Sequence, residues 1–290
     1  MTKSCERLVI ATRKSPLALE QANLVANLVS KSLDCDVDLL PMSTTGDRKL
    51  TWSLQEKGGK GLFTRELETA LLNGQADLAV HSAKDMPTEN PNGLTIGAFT
   101  QREDPRDVLV LRNNVYQPEV LASGSPRRRA QLERRFPKAT WKELRGNVET
   151  RIKKIAQNEE ADGTILAAAG LNRLGINSYD GVRFEKIPFQ EMVPAPGQAA
   201  IAIQVRTEEK MKFSKLDHIE TSHAVTLERE ILDILGGGCQ VALGVHVSNG
   251  FLYFFHENCG IKKINLQNLS NEQIFKQILL NFNNLDQHAS

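Results

Sequence analysis

Long apolar runs are missing from this chain of 290 residues. Nothing approaches the roughly 18–20 consecutive apolar residues that a helical bilayer span needs, so an integral helical membrane protein is excluded and no membrane partner is expected. Near the start, Lys3, Glu6, Arg7, Arg13 and Lys14 surround only the short stretch Leu8 to Ala11, too little for a secretory signal, and a cytoplasmic protein is expected. Cysteine is scarce. Cys5, Cys35, Cys239 and Cys259 show no C-x-x-C spacing and no nearby histidine pair, which leaves neither a disulfide framework nor a metal site in view. A phosphate loop is missing too. Gly58, Gly59, Lys60 and Gly61 lack the G-x-x-x-x-G-K-[ST] spacing and run into Leu62, so nucleotide binding is discounted. The Gly-, Lys- and Thr-rich segment Thr44 to Gly61 reads instead as a lid loop.

What is present is a globular composition, 40% hydrophobic and 24% charged, in a chain long enough for two or three domains. Net charge is only +1, yet the span Ser125 to Ile155 carries eleven Lys or Arg against three Asp or Glu. Most are arginine, whose planar fork grips carboxylate or phosphate bidentately, and an anionic partner follows. Arg134 and Arg135, in the amphipathic run Pro126 to Phe136, could equally be a solvated helix face. Arg145 differs. It lies between the strand-like Thr140 to Leu144 and Gly146–Asn147, a turn and N-cap where backbone donors also favour anions. A nucleic acid would want aromatic stacking groups, and only Phe136 and Trp141 interleave with these charges.

The chain also repeats itself. Gly61 to Asp77 and Gly146 to Asp162 align without gaps, matching Phe63 with Val148, Leu67 with Ile152, Ala70 with Ile155, Asn73 with Asn158, and Ala76–Asp77 with Ala161–Asp162. Both copies read as amphipathic helix, polar turn and strand, the strands being Leu78 to Ser82 and Thr164 to Ala168. Ser15–Pro16 and Ser125–Pro126 each place an N-cap serine and an N1 proline at a helix start. Two similar α/β lobes presenting helix N-termini and arginines imply an anion held in the cleft between them. Val193 to Gln198 reads as a hinge entering the strand Ala199 to Val205, which could return the chain to the first lobe. From about Phe213, a helix over His218 to Leu235 leads into Gly236, Gly237, Gly238 and Cys239, opening a small α+β unit.

Two groups could react. Asp85 and Lys84 stand in Ser82 to Pro87, directly after the buried-strand pattern Ala76 to His81, which is where α/β proteins place chemistry. A carboxylate there can give and take a proton, with the adjacent ammonium tuning its charge. An isolated Lys–Asp pair is more often an exposed ion pair in a turn, worth roughly 0–1 kcal/mol. Only the first copy of the repeat carries the acid, since Asp85 falls opposite Gly170. Cys239 is the second candidate, its preceding glycines allowing a bulky group close to the sulfur. Alone it would more often be an ordinary buried thiol.

Taken together, Ile10 to Leu19, Gly58 to Phe63, His81 to Pro87, Arg102 to Asp107, Arg145 to Asn147, Ala169 to Leu174 and Gly237 to Val241 make the chain resemble the hydroxymethylbilane synthase (porphobilinogen deaminase) family over nearly its whole length. That resemblance implies three α/β domains. The first two are periplasmic-binding-protein-like lobes around a cleft, 1–99 with 194–212 and 100–193, and the third is a small α+β domain over 213–290. It implies a transferase that deaminates four porphobilinogen molecules and joins them head to tail, releasing ammonia. The primer would be one dipyrromethane cofactor, tied to Cys239 by a thioether. Asp85 would be catalytic, stabilising the cationic azafulvene and the pyrrole N–H groups and removing the proton displaced at the coupling carbon. Lys84, Ser15, Arg127, Arg128, Arg145 and Gly146 would hold the cofactor. Arg13, Phe63, Arg151, Arg173, Gln198 and the lid residue Lys60 would bind substrate. A monomer is expected, with no nucleic-acid partner. The chain departs from the family at Ser123, Gly124 and Pro126, which remove hydroxyl donors and alter a helix start, at Ala199 in place of a glycine, and in a shorter terminal domain. Without the motifs, the repeat alone would equally fit an anion-binding protein that lacks catalysis.

Overall fold

The aliphatic run Leu8 to Ala11 makes β1 (Arg7–Arg13), which lies parallel between β2 (Asp36–Met42) and β3 (Leu78–Ser82). β3 is buried on both faces from Leu78 to His81, and its first three residues, Leu78, Ala79 and Val80, are all apolar rather than alternating. Between β1 and β2 runs a helix, Pro16–Leu33, started by Ser15, whose Oγ accepts the Ala18 N–H at 3.3 Å. Pro16 sits where its missing N–H would have no partner anyway. Ala18, Ala22, Val25 and Val29 recur at helical spacing and bury against the sheet. The chain is described by a computed structural model over residues 7–48, 61–157, 160–236 and 241–283. Lys60, Cys239 and most of the expected lid lie outside these ranges.

β4 (Leu94–Phe99) ends the first pass. The chain then lays down β5 (Asp107–Arg112), β6 (Val120–Ala122), β7 (Thr140–Lys142), β8 (Gly163–Ala167) and β9 (Val182–Lys186), and returns as β10 (Ile201–Arg206). One sheet has the order β2-β1-β3-β10-β4 and the other β7-β6-β8-β5-β9. In both, three parallel strands are followed by one antiparallel to its two neighbours. That strand is β10 in the first sheet and β5 in the second, each the first strand laid down after the chain changes sheets.

The sequence repeat has a physical content here. Asp77 Oδ2 accepts the Val9 N–H at 2.8 Å, and Asp162 Oδ2 accepts the Val120 N–H at 2.9 Å, so each carboxylate pins the start of the neighbouring strand. Each is also paired to an arginine at the end of its antiparallel strand, Arg206 for Asp77 and Arg112 for Asp162.

A third, antiparallel sheet is formed by β11 (Leu243–Ser248), β12 (Phe251–His256) and β13 (Gly260–Asn265). Asn249 and Gly250 both have positive φ and close its first hairpin. Ile231, Val245, Leu252, Phe254, Ile274 and Ile278 join this sheet to the helices Ile219–Ile234 and Asn271–Asn283. The former helix also places Val225 among Ala83, Met86, Phe99, Ala200 and Ala202, so the small unit packs beneath the turn that carries Asp85.

Some elements are shorter than the sequence suggests. The helix expected over Pro126 to Phe136 stops at Leu132, in keeping with Pro137, which disfavours helical backbone at the residue before it. His218 stands outside its helix and caps it, Nδ1 accepting the Thr221 N–H at 3.3 Å. The strand beginning at Thr140 ends at Lys142, and Thr45–Arg48 at the edge of the expected lid is a single helical turn.

Candidate functional site

Both sheets present the C-terminal ends of their parallel strands to the site. Arg13 closes β1, and Lys84 and Asp85 follow β3 in a short 3-10 turn, Ala83–Asp85. From the other lobe come Arg127 and Arg128 after β6, Arg145 and Gly146 after β7, and Arg173 after β8. The hinge presses against the Asp85 turn. Gly197 has φ +72, and a Cβ there would lie 3.2 Å from the Ala83 carbonyl carbon and 3.3 Å from the Lys84 nitrogen, so only glycine allows this approach.

Lys84, Asp85, Arg128, Arg145, Arg151 and Gln198 form one group. Lys84 Nζ donates to Gln198 Oε1 at 3.4 Å. Burial and the neighbouring Arg128 push the Lys84 ammonium down to about 8, against the pull of Asp85 and Asp107. Arg151, whose Nε donates to the Gly146 carbonyl at 2.8 Å, is pushed down to about 10 by burial and by Arg128 and Arg145, with Asp85 opposing. Cations from both lobes thus repel one another around the half-buried Asp85 carboxylate. Gly146 has φ +120, and a Cβ would meet Thr150 at 3.0 Å, so this residue shapes the loop that aims Arg145 and Arg151.

A second group gathers at β1. Arg13 donates through Nε and Nη2 to Asp47 and lies 4.4 Å from the centre of the Phe63 ring. The Ser15 hydroxyl is occupied as a helix cap. Arg173 Nη2 donates to the Ala199 carbonyl at 2.6 Å.

Arg127 is placed differently from its neighbour. It is 4% exposed, and its Nη1 donates to Asp107 Oδ2 at 2.7 Å and to the Val193 carbonyl at 2.6 Å. It is a strut joining three segments. Arg128 gives Nε and Nη2 to Asp107 Oδ1 and Nη1 to the Ile165 carbonyl, and its charge still reaches Lys84 and Arg151. At the departure Ser123 to Pro126 the helix start stays capped. Ser125 Oγ accepts the Arg128 N–H at 3.5 Å, and Ser125 N–H donates to Ser123 Oγ at 3.2 Å.

Sequence reasoning missed Asp47 and Asp107 as members of the site. Asp107 has no solvent exposure and is held strongly ionised: burial opposes its charge, but Arg127, Arg128 and Lys84 outweigh it. No spacing signal pointed to either aspartate, because their arginine partners Arg13 and Arg127 lie 34 and 20 residues away in the chain. Among the described residues, no cluster of His, Cys, Asp and Glu could hold a metal ion.

Residues 8–213 match the family model described as porphobilinogen deaminase, dipyromethane cofactor binding domain. A porphobilinogen deaminase of Thiobacillus denitrificans is 42% identical over 251 residues, covering 83% of this chain and 80% of that protein. One from Chromobacterium violaceum is 44% identical over 250 residues, covering 82% and 79%. Among solved structures, the periplasmic VFT2 domain of Bordetella pertussis BvgS gives a TM-score of 0.43 at 16% identity, covering 79% of this chain and 91% of that one, a likeness too slight to assign anything.

Proposed function

Since the chain belongs to the porphobilinogen deaminase family, we propose that its inter-lobe cleft is the reaction site, with Asp85 the reacting carboxylate. The activity is that family's transferase reaction, hydroxymethylbilane synthesis from porphobilinogen in tetrapyrrole formation, and the cofactor is dipyrromethane. The observation that carries the site is the convergence of Lys84 and Asp85, in the turn after β3, with Arg128, Arg145 and Arg151 from the loops and helices after β6 and β7. Pyrroles with acetate and propionate arms would bring further carboxylates to these cations, so the residues present fit the cofactor and a chain growing from it.

Arg128, Arg145 and Lys84 would hold the cofactor's carboxylates, with Arg127 bracing Arg128 through Asp107, and Arg151 would bind substrate. Gly146 supplies a carbonyl that aims Arg151. Bound at Cys239, the cofactor supplies a nucleophilic pyrrole carbon as primer. Asp85 stabilises the positive charge that develops as the substrate's aminomethyl nitrogen leaves as ammonia, and accepts the proton displaced from the coupling carbon. Arg13, Phe63, Arg173 and Lys60 bind the incoming substrate. The lobes run over 1–99 with 194–212 and over 100–193, and the cofactor is attached in 213–290. The enzyme works as a monomer, because one chain provides both walls of the cleft. It works in the cytoplasm, a reducing compartment in which cysteines stay as thiols.

Intact-mass measurement of the purified protein tests this reading. The mass should exceed the polypeptide by two linked pyrroles, mapped to the Cys239 peptide, and Asp85→Asn should cut turnover by roughly 10²–10⁴-fold without a change in thermal midpoint. A bare polypeptide mass in an active preparation, or turnover retained in Asp85→Asn, overturns it.

A further inference from the structure

We propose that Asp107 and Gln198 form a buried relay that orients Lys84 beside Asp85, so that Gln198 serves the reaction as a positioning residue and not as a substrate ligand. The side chain of Gln198 is not available to a ligand, since the residue has no solvent exposure. Its Nε2 donates to the Pro105 carbonyl at 2.7 Å and to Asp107 Oδ1 at 3.2 Å. Both of those partners are acceptors only. Turning the amide over would aim its carbonyl at a carbonyl and a carboxylate, so its orientation is fixed and Oε1 must point the other way. There it meets Lys84 Nζ at 3.4 Å.

Each end of the relay is anchored. Arg127 and Arg128 hold the Asp107 carboxylate at 2.7 to 3.0 Å. Arg127 also reaches the Val193 carbonyl, in the hinge segment that carries Gln198. Arg102 Nε donates to the Gln198 carbonyl at 2.8 Å, and Gly197 presses on the backbone of the Lys84 turn. The charges facing Lys84 are Asp85 on its own turn, Asp107 at the start of β5, and Arg127 and Arg128 on the helix after β6. An ammonium among two guanidiniums needs acceptors. A neutral amide oxygen fixed from behind by Pro105 and Asp107 gives it one acceptor of set direction. With Lys84 held near 8, losing that oxygen should move its titration into the working range of pH.

The inference rests on the reading of Asp85 as the reacting carboxylate, which fails separately if Asp85→Asn retains turnover. The test uses the holoenzyme and Gln198→Met, nearly the same size but without the amide. Lys84 is titrated directly by competitive acylation across pH, read by mass spectrometry of its peptide, alongside the pH dependence of kcat. The Lys84 midpoint should fall by about one pH unit, a tenfold loss of proton affinity, and the alkaline limb of kcat should fall with it. KM below that limb should stay within about twofold, as expected where no substrate contact is lost. An unchanged Lys84 midpoint in the folded variant overturns the relay, and a shifted midpoint with an unmoved kcat limb overturns its service to the reaction. A KM raised about tenfold at every pH makes Gln198 a substrate ligand after all. Should the variant not fold, the wild type decides: the side-chain amide nitrogen resonance of Gln198 must follow the Lys84 titration with the same midpoint, and a resonance flat through that range overturns the proposal.

Discussion

The guanidinium of Arg13 is forked onto the carboxylate of Asp47, with Nε donating to Oδ2 at 3.2 Å and Nη2 to Oδ1. Both side chains are about a quarter exposed, 25% and 27%, and pairs of that kind add only roughly 0–1 kcal/mol to stability. The consequence is therefore geometric. Asp47 is itself fixed by the Thr44 N–H at 3.2 Å and the Thr44 hydroxyl at 2.7 Å, and Arg13 is sandwiched against Phe63, which in turn packs on Gly46, where a Cβ would stand 2.2 Å from Phe63 Cε1.

Asp47→Ala releases this pre-organised fork. Porphobilinogen KM should rise about tenfold, equivalent to about 1.4 kcal/mol, while kcat stays within about threefold, because no group at the reacting atoms is lost. Steady-state kinetics decides. A fall in kcat at constant KM would mean that Asp47 acts on the chemical step.

The two-lobed plan was legible because repetition and periodicity are properties of neighbouring residues. Ser15–Pro16 and Ser125–Pro126 cap real helices, and the matched Asp77 and Asp162 do the same job in both sheets. The position of Asp85 in a turn at the end of a buried strand was legible from the apolar run before it. Partnerships between distant, unlike residues were not: Asp107 with Arg127 and Arg128, Asp47 with Arg13, and Arg102 with Glu228 are made by tertiary structure and leave no period. Nor could spacing say that Arg127 and Arg128 both turn inward onto one carboxylate, since adjacent helical residues differ by roughly 100° in direction.

Ala199 holds φ +73, a left-handed conformation that costs an L-residue about 1–2 kcal/mol. Its carbonyl accepts from Arg173, and its neighbour is Gln198, so the surrounding site enforces the conformation. Ala199→Gly removes the strained Cβ and loosens the unfolded chain, two effects that partly offset. A net gain of about 1 kcal/mol is expected, seen as a thermal midpoint higher by about 2–4 °C. Lower stability would show that the Ala199 methyl makes packing contacts that outweigh the strain.

Glu228 has no solvent exposure, yet it receives Arg102 at 2.7 and 3.0 Å, the Gly197 N–H at 2.7 Å and the Val247 N–H at 2.8 Å. It thereby ties the third unit to the hinge. Burial pushes its carboxyl up, but Arg102 and His246 outweigh this and hold it at about 2, below its usual 4.5. A depressed carboxyl stabilises the fold above the unfolded value and loses that contribution as pH falls toward the folded one. Glu228→Gln should therefore cost about 3–5 kcal/mol at pH 7, where it leaves Arg102 buried without its counter-charge. The gap between variant and wild type should close as pH drops from about 4.5 toward about 2, because the wild-type side chain then becomes neutral as well. Urea unfolding at several pH values reads the gap directly. A gap that stayed constant over that interval would show that the Glu228 charge contributes nothing and that its hydrogen-bonding shape alone holds the hinge.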